Sequence, residues 1–248
     1  MEKALVFIGF NILSLLPILF WLFFFLWQDR KKPEPKKWLF GVYLSGFLIA
    51  PLIWLLETSF FQNGALFSPD QLLQKSLWLC FSGALIEESI KFLAVYLIIK
   101  RNTHCDESTD PIIYLVTGAL GFASLENILA AFSFAISKTN FVELISLLGG
   151  RFLGANFLHA LMAVIIGTAW GWGVKRCYSP QRTTKFIFFG LGLAILIHML
   201  FNYSLITSQT YLILPIGGSL FLLAIIFLWF FQLLDVPSKD LKGNDFYK

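Results

Sequence analysis

The chain carries little charge and few cysteines for its 248 residues. Charged residues make up 14% and hydrophobic residues 57%, whereas soluble domains carry about a quarter charged residues. This balance leaves no room for a soluble domain of ordinary size. The three cysteines fall in one apolar run and in two loops predicted to face the cytoplasm, which predicts reduced thiols and no disulfide framework: Cys80, Cys105 and Cys177.

The sequence also lacks an internal repeat of the kind that marks many transporters. No small-residue cleavage site follows its first apolar run, residues 4–27. The charged stretch DRKKPEPKK comes directly after that run. We therefore expect this run to be a first membrane-spanning helix and not a signal peptide that is removed.

The apolar runs predict an all-α, polytopic membrane helix bundle. A span needs roughly 20 apolar residues, and seven runs qualify: 4–27, 38–56, 74–99, 112–136, 152–174, 186–206 and 210–234. Residues 141–150 are too short to span and are expected to form an interfacial or re-entrant piece. We expect residues 1–234 to form a single transmembrane catalytic bundle and residues 235–248 to form a short cytoplasmic tail.

Lysine and arginine are distributed unevenly between the two sides of this bundle. Fourteen lie in loops 28–37, 100–111 and 175–185 or after residue 234, against four on the opposite side. The positive-inside rule then places the N-terminus outside and the C-terminus in the cytoplasm. The net charge of +4 is thus a topology signal and does not indicate a nucleic-acid partner. The predicted location is the plasma membrane of a bacterial cell, with the lipid bilayer as a partner.

Ionisable residues occur inside the predicted spans, where each costs a few kcal/mol and usually marks function. They fall in four different runs: Glu87, Glu88 and Lys91; Glu126 with Asn127; His159; and His198 with Asn202. At about 1.5 Å per residue, Glu87, Glu126, His159 and His198 lie roughly 12–18 Å below the outer helix ends. We therefore expect them to meet in one layer in the outer half of the bilayer.

The residue types in this layer suit hydrolysis. Adjacent carboxylates in a dry site do not both ionise easily, so one can hold a proton while the other takes one from water. Glu87 and Lys91 share a helix face, as do His198 and Asn202. A histidine and an amide can stabilise an oxyanion. Asn156, one turn before His159, is a supporting candidate. Glu57 and Glu143, near the outer boundary, are expected to be solvated.

The ordered motifs resemble those of the PrsW intramembrane proteases, relatives of the CAAX prenyl proteases and bacteriocin-immunity proteins. The motifs are DRKKPEPKKWLF (29–40), EESIK (87–91), FASLEN (122–127), His159 and HMLFN (198–202). The resemblance, over roughly residues 25–205, implies a catalytic pair of Glu87 and Glu88, completed by Glu126, His159 and His198. It also implies cleavage of membrane-anchored, single-span proteins on their outer side, such as anti-sigma factors. In the CAAX branch, a histidine stands where this chain has Glu126.

The leading hypothesis is a glutamate-type protease that needs no cofactor, with Asn202 among its catalytic residues and Lys91, Asn127 and Asn156 in support. A zinc protease is the alternative, with His159, His198 and Glu87 as ligands, although the chain has no HExxH sequence. A proton-coupled transporter and a non-catalytic immunity protein are two further alternatives. The sequence does not identify the substrate or the oligomeric state.

Overall fold

The computed structural model of the chain is helical, with no strand among the residues it describes. Those residues are 2–63, 72–100, 102, 104–137, 141–177, 180–206, 221–222 and 224–226. Between residues 2 and 206, the described part of the chain forms eight helices: α1 (Glu2–Ser14), α2 (Leu16–Gln28), α3 (Lys36–Asn63), α4 (Leu72–Ile99), α5 (Asp110–Ser137), α6 (Phe141–Leu153), α7 (Ala155–Cys177) and α8 (Pro180–Ile206).

Five stretches of the described residues are long and apolar enough to cross a membrane. They are Ile8–Gln28, Lys36–Ser59, Asp110–Phe134, Val142–Lys175 and Gln181–Ile206. Helix α4, with 28 residues, is as long as α3, but Glu87, Glu88 and Lys91 interrupt its apolar sequence. The prediction of an all-α, polytopic membrane bundle is confirmed. The predicted orientation stays a prediction.

Two predicted segments differ in detail from the observed helices. The first span is divided at Leu15 into α1 and α2, where Pro17 stands in the first turn of α2, a position that tolerates its missing N–H. Residues 141–150 lie within the longer helix α6, and their predicted interfacial or re-entrant placement stays a prediction. Across the break at Gly154, the Gly154 and Leu158 N–H groups donate to carbonyls four residues earlier, so α6 leads into α7.

The end of the chain falls largely outside the described residues. Of the predicted span 210–234, only residues 221–222 and 224–226 are described, all of them helical. The predicted tail 235–248 is not described at all. The division into one bundle and a tail therefore stays a prediction.

Helix α5 is the central helix of the bundle. It packs against α1, α3, α4 and α7. In its most apolar 18-residue stretch, 78% of the residues are buried, compared with 22% in the corresponding stretches of α3 and α8. The main hydrophobic core runs along it from Ile112 to Ala123 and continues into α7. Because α5 touches most of the other helices, it determines how deep and how close together their polar groups lie.

The loop after α2, residues 29–35, is held against the start of α5. The Tyr114 hydroxyl donates to Glu34, and the Asn102 amide donates to Tyr114 Oη at 2.6 Å. Burial raises the pKa of the Glu34 carboxyl, and burial also raises the pKa of the Cys105 thiol in the next loop. These contacts join the PEP-containing loop to the central helix at the predicted cytoplasmic end.

Glycines allow α3 and α5 to approach at backbone contact. A Cβ atom at Gly46 would lie 1.9 Å from the Gly118 carbonyl oxygen, and one at Gly121 would lie 2.1 Å from the Tyr43 carbonyl oxygen. Small residues at such crossings are typical of membrane helix pairs. This crossing holds the part of α5 that precedes Phe122 and Glu126.

We expect Gly46→Ala to destabilise the protein by about 1–3 kcal/mol, because the added methyl group forces two backbones apart. Gly41→Ala on the same helix is the matched control, since a Cβ there meets nothing within 4 Å. The midpoint of thermal unfolding in detergent measures both. Equal midpoints for the two variants would contradict the close α3–α5 contact.

Candidate active site

Helix α4 brings two glutamates and one lysine to a buried face. Lys91 Nζ lies 2.7 Å from Glu88 Oε1 and 3.4 Å from Glu87 Oε2, and all three side chains are buried. The spacing of three and four residues along one helix produces this contact. A buried charge is costly unless it is paired. Lys91 therefore lowers the free-energy cost of burying the carboxylates of Glu87 and Glu88.

Two histidines from other helices complete the cluster. His198 Nδ1 of α8 lies 2.7 Å from Glu88 Oε1, and His159 Nδ1 of α7 lies 3.1 Å from Lys91 Nζ. The two imidazole rings stand 5.4 Å apart, centroid to centroid. Glu87 Oε2 lies 3.9 Å from His159 Nδ1 and 4.0 Å from His198 Nε2. These last two distances are too long for direct hydrogen bonds and fit a bridging water.

Helix α5 contributes Glu126 and Phe122 from the other side. Glu126 Oε2 lies 2.8 Å from His159 Nε2. The Phe122 ring packs edge-on against the His159 ring at 5.3 Å, and Lys91 Nζ lies 4.7 Å from the Phe122 ring centroid. The predicted meeting of Glu87, Glu88, Lys91, Glu126, His159 and His198 is therefore observed, whereas their catalytic roles stay predictions.

The three predicted asparagines occupy different positions. The Asn127 amide donates to the Ser14 carbonyl at 2.9 Å, and its oxygen accepts from Arg151, so it ties α1 to α5 beside the cluster. Asn156 is buried, and neither of its amide atoms has a hydrogen-bond partner among the described residues. Asn202 is partly buried. Within the described part of the chain, Asn202 makes no hydrogen bond to the cluster.

Two residues near the cluster were not predicted from the sequence. Arg151 of α6 lies 3.3 Å from Glu126 Oε2 through Nη2. Glu57 of α3 was expected to be solvated, but it is partly buried and lies near Glu87 and Glu126, close enough for their charges to interact. Both line a cavity of about 270 Å³ next to Glu126. Glu143, in contrast, is exposed as predicted.

The charges of the site do not balance. Four carboxylates (Glu57, Glu87, Glu88 and Glu126) face two permanent cations, Lys91 and Arg151. A buried site with this excess of acid can hold and release protons, which is what the hydrolysis of an amide by water requires.

The donor set also meets the requirements of a metal site. One atom each of Glu87, Glu88, His159 and His198 lies within 4.8 Å of the others. Two imidazoles and one or two carboxylates are the ligands that catalytic zinc takes in hydrolases. The Lys91 ammonium group, however, already lies within 3.4 Å of Glu87, Glu88 and His159.

Residues 34–233 match a protein family described as PrsW family intramembrane metalloprotease. Three similar relatives, each named Protease PrsW, come from Geobacillus kaustophilus, Clostridioides difficile and Bacillus subtilis. The first is 25% identical over 75% of each chain. The second is 26% identical over 88% of this chain and 86% of the relative. The third is 29% identical over 61% of this chain and 62% of the relative. No solved structure matches.

The family match covers the loop at Glu34 and all the residues of the buried cluster. It agrees with the resemblance seen in the motifs and with the chemistry that the cluster offers. The chain is therefore a membrane-embedded peptide hydrolase that belongs to the PrsW family of intramembrane proteases.

Proposed function

We propose that this protease cleaves single-span membrane proteins on their outer side and that Glu87 activates the attacking water. The observation that supports this role is the position of Glu87 Oε2, 3.9 Å from His159 Nδ1 and 4.0 Å from His198 Nε2. A water molecule at this position would touch a carboxylate and an imidazole in a buried site. Glu87 is also the less engaged acid, since its contact with Lys91 is 3.4 Å long.

Glu88 has a positioning role in this proposal. Its Oε1 is already engaged by Lys91 and by His198 Nδ1, each at 2.7 Å. A proton on Nδ1 of His198, donated to Glu88, leaves Nε2 as an acceptor that faces Glu87. Glu88 thereby orients the imidazole that would hold the second hydrogen of the water.

The tautomer of His159 follows from Lys91. An ammonium group has three donors and no acceptor, so His159 Nδ1, 3.1 Å away, accepts from it. The ring proton is then on Nε2 and is donated to Glu126 at 2.8 Å. Glu126, held in turn by Arg151, fixes the orientation of His159 at the edge of the proposed water position.

In the proposed reaction, Glu87 takes one proton from water and later gives it to the leaving group. Glu87 accepts a proton as the water oxygen attacks the carbonyl carbon, which gives a tetrahedral oxyanion. The carbon–nitrogen bond then breaks, and Glu87 returns the proton to the leaving amine. Asn202, one turn from His198, is the proposed amide donor to the oxyanion.

A zinc protease is a second candidate, because the four donor atoms lie within 4.8 Å of one another. Bound by His159, His198 and Glu87, zinc would polarise the carbonyl group and make water more acidic. Lys91 favours the metal-independent reaction, since a divalent cation at the same place would have to displace a buried ammonium group. The excess of carboxylates favours a bound metal cation. The metal content of the purified protein distinguishes the metal-independent reaction from the zinc-dependent one.

We expect the purified protein in liposomes to cleave a single-span reporter that carries a fluorescent domain on the outer side. The expected product is the released outer domain, formed at the same rate with 1,10-phenanthroline. Elemental analysis is expected to find far less than one zinc per chain. A second reporter, with its fluorescent domain on the cytoplasmic side, is the matched control and is expected to keep that domain in the membrane.

Two results would contradict parts of this proposal. About one equivalent of tightly bound zinc, together with loss of cleavage on chelation and recovery on adding zinc, would establish the metal-dependent reaction. Release of the cytoplasmic domain but not the outer domain would place the site on the other side of the membrane.

A further inference from the structure

A cavity of about 270 Å³ adjoins the cluster between α3 and α5. Its α3 wall includes Ile53, Trp54 and Glu57, and its α5 wall includes Phe122, Glu126 and Leu129. Arg151 of α6 lies at one end. Both walls belong to apolar stretches that are long enough to cross a membrane, which favours a cavity that opens toward lipid.

The cavity connects the lipid-facing surface with the catalytic groups. At the surface, Trp54 is 62% exposed and Leu129 is 48% exposed. At the inner end, Glu126 Oε2 lies 2.8 Å from His159 Nε2, and the Phe122 ring packs against the same histidine. Glu57 lies near Glu87, within range of its charge. A molecule in the cavity would therefore lie beside the proposed water position.

The polar groups in the cavity fit one kind of occupant. A peptide bond is accessible to hydrolysis only where its helix has unwound, and an unwound backbone in a membrane needs hydrogen-bond partners. The cavity provides acceptors on Glu57 and Glu126 and donors on the Arg151 guanidinium group. Ile53, Trp54 and Leu129 provide apolar contact for side chains that come from lipid.

We propose that this cavity is a lateral port, through which an unwound segment of a membrane-anchored substrate reaches the catalytic cluster between α3 and α5. This inference rests on the proposed function. The port explains how a polypeptide reaches buried carboxylates without crossing the packed α5–α7 interface. It also gives Glu57 and Arg151 a role in holding the substrate backbone.

Photo-crosslinking to the outer-domain reporter tests the port. Benzoylphenylalanine would replace Trp54 or Leu129 at the mouth, in the Glu88→Gln background so that the bound reporter stays intact. The matched controls are Leu55 and Phe132, which lie on the same two helices but outside the cavity lining. Leu55 is 57% exposed, close to Trp54, and Phe132 is 44% exposed, close to Leu129. We expect capture at positions 54 and 129 to exceed capture at 55 and 132 by at least fivefold.

Equal capture at the four positions, capture at none of them, or stronger capture at 55 and 132 would overturn the port. Crosslinking measures binding and not cleavage, so this failure is distinct from a failure of the proposed function. As a second measurement, Ala130→Phe fills the cavity and is expected to reduce cleavage at least tenfold, whereas Leu55→Phe leaves it unchanged. Unchanged cleavage by a correctly folded Ala130→Phe variant would also overturn the port.

Discussion

Glu87→Gln, Glu88→Gln and His198→Ala are each expected to abolish release of the outer reporter domain. Glutamine keeps the shape of Glu87 but cannot take a proton from water, and general-base catalysis contributes about 10²–10⁴-fold to a rate. Glu88→Gln weakens the contacts that orient His198 and pair with Lys91. His198→Ala removes the imidazole that faces Glu87.

The measurement is the initial rate of domain release in liposomes, normalised to the amount of folded protein. Glu143→Gln is the matched control, because Glu143 is an exposed acid on α6. This substitution is expected to leave the rate of domain release unchanged. If all three variants cleaved at the parental rate, the assignment of the active site would be wrong.

Lys91→Met is expected to cause the largest loss of stability of any single change in the site. It leaves Glu87 and Glu88 buried without the ammonium group that pairs with both. Removal of one partner from a buried ion pair costs about 3–5 kcal/mol, because the remaining charge is uncompensated. We expect a much lower midpoint of thermal unfolding in detergent and less protein in the membrane.

The double variant Lys91→Met/Glu88→Gln separates charge from packing. If the lost pairing is the cause, neutralising Glu88 is expected to restore part of the unfolding midpoint, so the two changes will not be additive. Additive losses would mean that the lysine stem contributes mainly through its packing. The same double variant is expected to remain inactive, since both positions belong to the site.

The helices and six of the clustered residues could be predicted from the sequence, because apolar residues mark a membrane span and a charged residue inside that span marks a buried polar site. An apolar run identifies a span, and a charge within it, as at Glu87 or His159, is too costly to be placed without a partner. Equal depth then brought residues from four helices into one layer. The structure confirms the helical bundle and shows that these residues meet, whereas their depth in the membrane stays a prediction.

Arg151 and Glu57 were missed for a physical reason. Both lie near the ends of apolar stretches, where a charged side chain normally reaches water and costs little. Neither spacing nor composition indicates that α6 continues into α7. Neither indicates that α3 packs against α5 at Gly46. Those packing contacts turn the two side chains inward, toward Glu126 and Glu87.

The charged triad of α4 also has a consequence for biosynthesis. Glu87, Glu88 and Lys91 leave the ribosome long before their partners, since His159 follows Lys91 by 68 residues and His198 follows Glu88 by 110. During that interval α4 is poorly suited to rest alone in lipid. The insertion machinery therefore has to retain α4, or shelter it against earlier helices, until the C-terminal half of the chain has been translated.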